Sequence, residues 1–431
     1  MDVKSVVFVF PNLAGHLNRT IKLAYEYQQK GYVAYYAGLH IMMPFVRKYN
    51  FEFYALSTLP FATGIEELIH EDKEERWLES LLDRFSGKLF HSRHQDLQRM
   101  LAELKPSIIF LDHFNYSDFV VLHPLLTSNT RLVFLQTKFP MYEHALVPPP
   151  NTFAFPGKDG SKLWIKYYRK HYLKQLWENI KYLGKSNLNQ LKRKFKELDI
   201  PAKHRINTKK TYNPAFDHVE EWFLVPQELD FPEQSLKSWQ KYLAPMVDLS
   251  RDEEIDKNLE NFVKDSKGQK LIYCSLGTVL STHLKHGTQK ADSFFQNIYH
   301  LVGKEDQYRL ILVIPKDVKV VLSGSFQNIL ILEFAPQLYI LKHADLFLTH
   351  SGNGSVFESI SLGVPMLLFP LNNKWDQNGT AARVVYHGLG IKLELAASQK
   401  KLSSGICQLL NDNSFKINTQ AMSRVFSEKY F

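Results

Sequence analysis

The strongest chemical pattern of the chain lies at residues 350–355, where the sequence HSGNGS is followed by Glu358. It comes directly after the apolar stretch 346–349 and opens a pattern typical of a helix. Glycines let the backbone approach an anion, and the free amides and dipole at a helix N-terminus stabilise phosphate. His350 and Ser355 can add hydrogen bonds, and Glu358 can accept from both hydroxyls of a ribose. The pattern predicts a diphosphate and ribose site, and the alternative is a plain tight turn with a capping serine.

Three other short polar groups in the same half of the chain also follow apolar stretches. They are residues 275–278 (SLGT), 334–337 (FAPQ) and 376–377 (DQ). Ligands of open parallel sheets bind at the carboxyl ends of the strands, so we expect these groups at one edge of a sheet. One accidental turn does not explain four such groups, which favours a ligand site.

A candidate general base, His16, follows Gly15 just after the first apolar stretch, Ser5–Phe10. The unperturbed pKa of histidine suits proton transfer from a hydroxyl group near neutral pH. A carboxylate behind the ring would hold its tautomer and stabilise the imidazolium, and Asp112, at the end of another predicted strand, is the best candidate. The alternative is that His16 only caps a helix. His113 is expected to point away from Asp112 and to be structural, since neighbouring side chains of an extended backbone alternate.

The elements that must position these residues alternate between strand and helix patterns, twice over. Apolar runs without period-two alternation predict parallel strands covered on both faces. In the first half they are Ser5–Phe10, Val33–Ala37, Phe51–Leu56, Ser107–Leu111 and Arg131–Leu135. In the second half they are Leu271–Ser275, Arg309–Ile314, Ile329–Phe334, Leu346–Thr349 and Met366–Phe369. Helices are predicted at 17–32, 292–302, 355–362 and 377–386.

This order predicts an α/β protein with two doubly wound, Rossmann-like domains that face a central cleft. We expect an acceptor-side domain over 1–244, a polar linker over 245–268 and a second, ligand-binding domain over 269–431. The last helix is a candidate to pack back on the first domain.

Composition excludes several other classes of protein. The 431 residues contain two cysteines, Cys274 and Cys407, which is too few for a disulfide scaffold or a four-cysteine zinc site. Neither an apolar run long enough to span a membrane nor a signal peptide is visible, so we expect a cytoplasmic protein. Histidine spacing suggests no metal site, and there is no phosphate-binding loop of the GxxxxGK[ST] type.

One segment, Lys158–Lys210, has 16 basic and 4 acidic residues, a net charge of +12 against +9 for the whole chain. The rest of the chain holds 37 basic and 40 acidic residues. Apolar residues recur at every fourth position of this segment, at Trp164, Tyr168, Tyr172, Leu176 and Ile180, while Leu173 and Trp177 fall outside that stripe. An ordinary helix that forms an acceptor wall is one interpretation. Docking on an anionic membrane is the other, and no nucleic-acid recognition motif is present.

Residues 334–390 resemble the donor-binding signature of the UDP-glycosyltransferases, glycosyltransferase family 1, whose members have the GT-B fold. The resemblance rests on FAPQ at 334–337, on His350-Ser351-Gly352, on Glu358, on GVP at 363–365 and on Asp376-Gln377. It is dense over about sixty residues and looser elsewhere, where Gly15-His16 and the topology carry it.

The resemblance implies roles for individual residues. Phe334 stands where the family has a tryptophan that stacks on uracil, and Gln337 would bond near the base or ribose. His350, Ser355 and Ser275 or Thr278 would hold the diphosphate, Glu358 the ribose, and Asp376 and Gln377 the donor sugar. His16 and Asp112 would be the catalytic base and its partner in an inverting, single-displacement reaction. The complete set of candidate donor-binding residues is Ser275, Gly277, Thr278, Phe334, Gln337, His350, Gly352, Asn353, Gly354, Ser355, Glu358, Asp376 and Gln377.

We therefore expect a glycosyltransferase that moves a sugar, with glucose as the favoured one, from a UDP-sugar to a hydroxyl of an apolar or aromatic small-molecule or lipid acceptor. The UDP-sugar is a co-substrate, and neither a cofactor nor a metal is expected. Two alternatives stay open. The first is a UDP-sugar 2-epimerase on the same fold, and the second is a non-catalytic nucleotide-sugar binder.

Overall fold

The chain forms two units with separate cores, seen in a computed structural model that describes residues 4–64, 77–265, 268–277, 280, 288–316 and 318–430. The first unit comprises Met1–Pro149, Lys158–Val225 and Gln234–Met246. The second comprises Pro150–Gly157, Pro226–Glu233 and Val247–Phe431. Two short segments that interrupt the first unit in the sequence, 150–157 and 226–233, therefore belong to the second unit.

A seven-stranded parallel sheet forms the centre of the first unit. Its order is β3-β2-β1-β4-β5-β8-β9, and a separate antiparallel pair, β6 and β7, lies outside it. The strands are β1 (Ser5–Val9), β2 (Val33–Gly38), β3 (Glu52–Ala55), β4 (Ile108–Asp112), β5 (Arg131–Gln136), β6 (Ile206–Asn207), β7 (Ala215–Phe216), β8 (Glu221–Phe223) and β9 (Gln240–Tyr242).

The central strands β1 and β4 are buried along their whole length, as expected for parallel strands covered on both faces. They are direct neighbours, with Val9 opposite Leu111. Because both strands run the same way, the residues that follow them meet at one edge of the sheet.

Eight helices of the first unit are described. They are α1 (Ala14–Leu17), α2 (Ile21–Gln29), α3 (Met43–Lys48), α4 (Trp77–Ser86), α5 (Lys88–Leu104), α6 (Asp118–Leu122), α7 (Gly160–Lys181) and α8 (Asn187–Glu197). The helix predicted over 17–32 is in fact interrupted by a 3₁₀ turn at Asn18–Thr20, so that α1 is a separate short turn that carries His16.

The second unit is built on a six-stranded parallel sheet with the order β12-β11-β10-β13-β14-β15. Its strands are β10 (Lys270–Ser275), β11 (Tyr308–Val313), β12 (Ile329–Leu332), β13 (Leu346–Thr349), β14 (Met366–Leu368) and β15 (Gly390–Lys392). Its described helices are α9 (Lys257–Lys264), α10 (Thr288–Gly303), α11 (Gln337–His343), α12 (Asn353–Ser361), α13 (Gln377–Tyr386), α14 (Gln399–Asn411) and α15 (Asn413–Tyr430).

The α/β class with two parallel sheets is confirmed. The strands that sequence patterns missed, β6, β7, β8, β9 and β15, have two or three residues each, too few for any periodicity to register. The polar stretch 245–268 contains helix α9, whose buried Leu259, Phe262 and Val263 pack in the second unit.

Buried contacts join the two segments 150–157 and 226–233 to the rest of the second unit. The amide of Gly379 donates to the carbonyl of Pro150 at 3.0 Å, so closely that a Cβ at Gly379 would lie 2.2 Å from that oxygen. Arg383 pairs with Asp230 at 2.7 Å, and both are almost fully buried. Within the described part of the chain, no helix combines the length and the apolar character needed to cross a membrane.

Candidate active site and nucleotide-binding loop

His16 and Asp112 meet at the carboxyl ends of β1 and β4 in the first unit. The Nδ1 atom of His16 lies 2.8 Å from Oδ2 of Asp112. The other carboxylate oxygen, Oδ1, accepts a hydrogen bond from the amide of Phe114 at 2.8 Å. Asp112 is completely buried and His16 is 9% exposed. With Nδ1–H donating to the carboxylate, Nε2 of His16 is the ring atom that can accept a proton.

His113 does not point away from the pair, contrary to the expectation. The chain leaves its extended conformation after Asp112 and forms a 3₁₀ turn at His113–Asn115, so side-chain alternation ends there. The His113 ring stacks on His16 with 5.2 Å between centroids, and its Nδ1 lies 3.7 Å from Asp112. Burial, followed by electrostatic interaction with His16, Lys138 and Lys210, holds the pKa of His113 well below its usual value. His113 is therefore a neutral ring packed against the candidate base.

Lys210 and Glu221 form a buried ionic pair in the first unit, which sequence reasoning missed. Lys210 is buried, with its Nζ 3.7 Å from Glu221, and Tyr142 donates to the same carboxylate at 2.7 Å. Burial lowers the pKa of Lys210, partly offset by the negative charge of Glu221. The sequence counted Lys210 among the charges of an exposed basic segment, and only the fold brings it beside Glu221.

The three side chains His16, Asp112 and His113 also form a group that a metal ion can use. Each offers one ligand atom, and these atoms all lie within 4.8 Å of one another. Two imidazoles and one carboxylate suit zinc. The expectation of a reaction without metal thus stays a prediction that needs its own test.

In the second unit, two glycines enclose the ring of His350 at the end of β13. Gly277, in the left-handed region at φ +89°, would place a Cβ 2.6 Å from Cε1 of His350. A Cβ on Gly352 would lie 2.6 Å from Nε2 of the same ring. Only glycine fits at either position without moving His350. Helix α12 begins at Asn353, two residues before the predicted start, so its first amides lie within the HSGNGS stretch.

Gln337, Ser355 and Glu358 form one hydrogen-bonded group. The Nε2 atom of Gln337 donates to Glu358 at 2.6 Å and to the Ser355 hydroxyl at 3.3 Å. The Tyr273 hydroxyl donates to Oε1 of Gln337 at 3.3 Å. Residues from β10, α11 and α12 thus meet around Glu358, the residue that is predicted to bind the ribose.

Arg251 is the partner of Glu358 that sequence reasoning missed. Its Nη1 donates to Oε1 of Glu358 at 2.6 Å, and its Nη2 donates to Glu253 at 2.8 Å. Glu253 in turn accepts from the amide of Tyr339, at the start of α11, at 2.9 Å. No local motif marks Arg251, because it lies 107 residues from Glu358 in a stretch that reads as an acidic linker.

Asp376 and Gln377, the two residues predicted to bind the donor sugar, make different hydrogen bonds. The carboxylate of Asp376 accepts from Nδ2 of Asn353 at 3.0 Å, and Thr380 donates to Oδ1 of Asn353 at 2.6 Å. Gln377 is buried, and its Oε1 accepts from the amide of Leu371 at 2.8 Å. The Gln377 oxygen therefore supports the preceding loop, whereas Asp376 belongs to a polar group beside the start of α12.

The remaining predicted donor ligands lie at strand ends or on α12. Ser275 is the last residue of β10. Phe334 follows β12 and is 77% exposed, so its ring face is accessible. Gly354 has no atom within 4 Å of where a Cβ would stand. Thr278 lies outside the described residues.

Two units, each built on a parallel sheet with helices, are the architecture of GT-B glycosyltransferases. The solved glycosyltransferase of kitacinnamycin superposes with a TM-score of 0.70 over 99% of this chain and 95% of that one, at 18% identity.

The chain belongs to the family described as UDP-glucoronosyl and UDP-glucosyl transferase, which it matches over residues 180–430. It is 23% identical to human UDP-glucuronosyltransferase 3A1 over 84% of this chain and 67% of the relative. It is 28% identical to the zeaxanthin glucosyltransferase of Pantoea ananas over 47% of this chain and 43% of that protein. The chain matches about a third of the length of several further curated relatives.

Proposed function

We propose that this protein is an inverting glycosyltransferase that moves a sugar, preferably glucose, from a UDP-sugar to a hydroxyl of an apolar or aromatic acceptor. The observation that carries the proposal is the buried pair of His16 Nδ1 and Asp112 Oδ2 at 2.8 Å, in a chain of this family. A protein that only binds nucleotide sugars needs no oriented base in its other unit.

In the proposed reaction, Nε2 of His16 takes the proton of the acceptor hydroxyl. The acceptor oxygen forms a bond to the anomeric carbon while the bond from that carbon to the UDP oxygen breaks, and UDP leaves with the electron pair. Asp112 stabilises the imidazolium that forms, and its bond to the Phe114 amide keeps the carboxylate in place. One displacement at the anomeric carbon inverts its configuration.

The donor half of the proposal rests on the second unit. The amides at the start of α12, His350 and Ser355 are suited to the diphosphate, and Glu358 with Gln337 to the ribose. The exposed ring of Phe334 is suited to stacking on the base. Departing UDP carries negative charge, which a helix N-terminus stabilises as the donor bond breaks.

A neutral sugar is favoured over glucuronic acid by the charge of Asp376. This carboxylate would repel a sugar acid held at the same place, whereas it can accept hydrogen bonds from glucose hydroxyls. The name of the Pantoea relative, a glucosyltransferase for zeaxanthin, supports both glucose and an apolar acceptor. The human relative is named for glucuronosyl transfer, so the two donors need direct comparison.

The deciding experiment is a panel of UDP-glucose, UDP-glucuronic acid and UDP-N-acetylglucosamine against phenols, flavonoids and lipid alcohols, with and without a chelator. We expect a β-glycoside, identified by its anomeric proton coupling, from α-linked UDP-glucose at a rate that the chelator does not change. Free epimerised sugar without an acceptor would establish the epimerase. UDP binding with no turnover of any pair would favour the non-catalytic binder. Loss of activity with the chelator would mean that the reaction needs a metal ion, either at His16, Asp112 and His113 or on the diphosphate of the donor.

A further inference from the structure

The one large side chain of helix α7 that is fully buried, Trp164, lies in the N-terminal half of the helix. Trp164 is 1% exposed and donates from Nε1 to the carbonyl of Val147 at 2.8 Å. At the other end, the apolar side chains are 45 to 67% exposed, and they include Leu173 and Trp177. The predicted single stripe from Trp164 to Ile180 was therefore wrong. Its first member is core, and the two residues thought to fall outside it are among the most exposed.

A second helix, α4, extends this exposed surface. Leu78, Leu82 and Phe85 recur at helical spacing and are 53 to 60% exposed. Nε1 of Trp77 donates to the carbonyl of Lys181 at 3.1 Å, and Nζ of Lys185 lies 5.1 Å from the centre of the Phe85 ring. The exposed apolar side chains of 77–85 and 172–183 therefore form one surface, which we call the two-helix surface.

The charge on the α7 side of the two-helix surface is positive, whereas the sequence that leads into and along α4, residues 66–83, contains eight acidic and two basic residues. Residues 160–185 contain seven lysines and arginines and one acidic residue, Glu178. Lys170 and Lys174 are exposed on α7, one turn apart. Helix α4 adds Glu79 and Asp83, and Oδ1 of Asp83 already accepts from the amide of Leu89 at 2.7 Å. Helices that lie in a membrane interface combine apolar and aromatic side chains with basic ones, and here the basic ones are the lysines and arginines of residues 160–185.

We propose that the two-helix surface docks on an anionic lipid bilayer, with Trp177 and Trp77 at the level of the headgroups and the α7 lysines on anionic phosphates. A second copy of the chain is the alternative occupant, because a two-fold contact pairs different residues of one patch and can set the acidic side chains of α4 against the α7 lysines of the other copy. The bilayer is favoured because exposed tryptophan and leucine side chains beside lysines are the composition of helices that lie in a membrane interface. An anionic bilayer can accommodate the exposed apolar side chains of the two-helix surface and attract the α7 lysines. The proposal does not depend on the glycosyl transfer proposed above.

The test is co-sedimentation of the full chain with vesicles of phosphatidylcholine alone or with phosphatidylserine, at low and high salt. We expect binding to the anionic vesicles, weakened by salt, and a blue shift of tryptophan fluorescence that is reduced in Trp177→Phe. Leu173→Ser with Ile180→Ser should lower the partition coefficient at least about tenfold, because two exposed apolar side chains no longer insert. Lys170→Glu with Lys174→Glu should lower it at least about thirtyfold.

Matched controls separate the two-helix surface from general surface properties. Ile41→Ser with Ile417→Ser removes two equally exposed apolar residues elsewhere, at 67% and 58% exposure. Lys400→Glu with Lys401→Glu reverses two exposed lysines on α14. Both controls should keep wild-type vesicle binding, and UDP binding and thermal unfolding of every variant check the fold.

Two outcomes would overturn the proposal. One is equal absence of the protein from both kinds of vesicle. The other is a concentration-dependent dimer in light scattering that Leu173→Ser with Ile180→Ser dissociates, which would assign the surface to a second copy.

Discussion

Asp112 in the first unit and Glu358 in the second are both buried carboxylates, but they are used in different ways. Asp112 accepts from one ring nitrogen of His16 and one backbone amide, so its pair leaves a single ring atom for chemistry. Glu358 is held by Arg251 and Gln337 within a wider group that also includes Ser355 and Tyr273. The first arrangement is suited to moving a proton, and the second to holding a polar ligand by exchange of hydrogen bonds.

This difference predicts that substitutions in the first unit and in the second have different kinetic effects. Changes at the His16–Asp112 pair should lower the rate of the chemical step without changing nucleotide affinity. Changes around Glu358 should change nucleotide affinity first. The experiments below test that separation, beginning with the largest expected effect.

His16→Ala should lower kcat for a neutral alcohol acceptor by roughly 10²–10⁴-fold, the usual contribution of a general base. UDP affinity, measured by calorimetric titration, should stay at the wild-type value, because no residue of the first unit belongs to the predicted UDP ligands. Asp112→Asn should lose part of the rate, since the imidazolium loses its counter-charge. An acceptor with an acidic hydroxyl or a thiol should recover part of the His16→Ala loss. Wild-type transfer to a simple alcohol by His16→Ala would contradict the mechanism.

Glu358→Ala should weaken UDP binding by about 1–3 kcal/mol, the cost of leaving polar partners unsatisfied. The sharper measurement compares UDP with 2′-deoxy-UDP. Wild-type protein should prefer UDP, and Glu358→Ala should lose that preference if the carboxylate binds the ribose hydroxyls.

Arg251→Ala is the matched control for Glu358, since it breaks the same ion pair from the other side. It should keep the preference for UDP over 2′-deoxy-UDP. Equal loss of that preference in both variants would mean that Glu358 serves mainly to hold Arg251.

The sequence predicted more of the second site than of the first for a physical reason. The candidate ligands in residues 350–355 and Glu358 lie close together in the sequence, so one short pattern of glycine and polar residues predicts them. In the first unit, sequence patterns placed His16 in the stretch after the first predicted strand and Asp112 at the end of another, and the structure brings these two side chains together. Lys210, Glu221 and the stacking of His113 were missed, because they depend on three-dimensional packing and on where a 3₁₀ turn begins. Arg251 was missed for the same reason, since its partner is distant in the chain.

The glycines around His350 allow a test of steric fit in the second site. Gly352→Ala places a methyl group 2.6 Å from the ring, and overpacking of this kind costs about 1–3 kcal/mol of unfolding free energy. Gly354→Ala, with nothing within 4 Å, should change unfolding free energy by less than about 1 kcal/mol. Denaturant unfolding of both variants is the measurement. Equal costs would show that the ring of His350 adjusts freely and is not held by its neighbours.

The smallest expected effect concerns His113 and the pH dependence of stability. Its pKa in the folded protein lies well below that of the unfolded chain, chiefly through burial. Below the unfolded pKa of about 6.5, the unfolded chain therefore binds more protons, and stability falls as pH falls. Between about pH 7.5 and 5.5 this group alone should lower the free energy of unfolding, by at most about 1.4 kcal/mol.

His113→Asn should have a pH profile flatter than wild type by that amount, whatever its stability at neutral pH. Burial also lowers the pKa of His171 and His204, so the wild-type protein will keep some acid sensitivity in any case. The difference between the two slopes isolates His113, measured by urea unfolding at several pH values. Parallel slopes would mean that His113 takes up a proton in the folded state as readily as in the unfolded chain and stacks on His16 as a cation, which would change the proposed proton transfer.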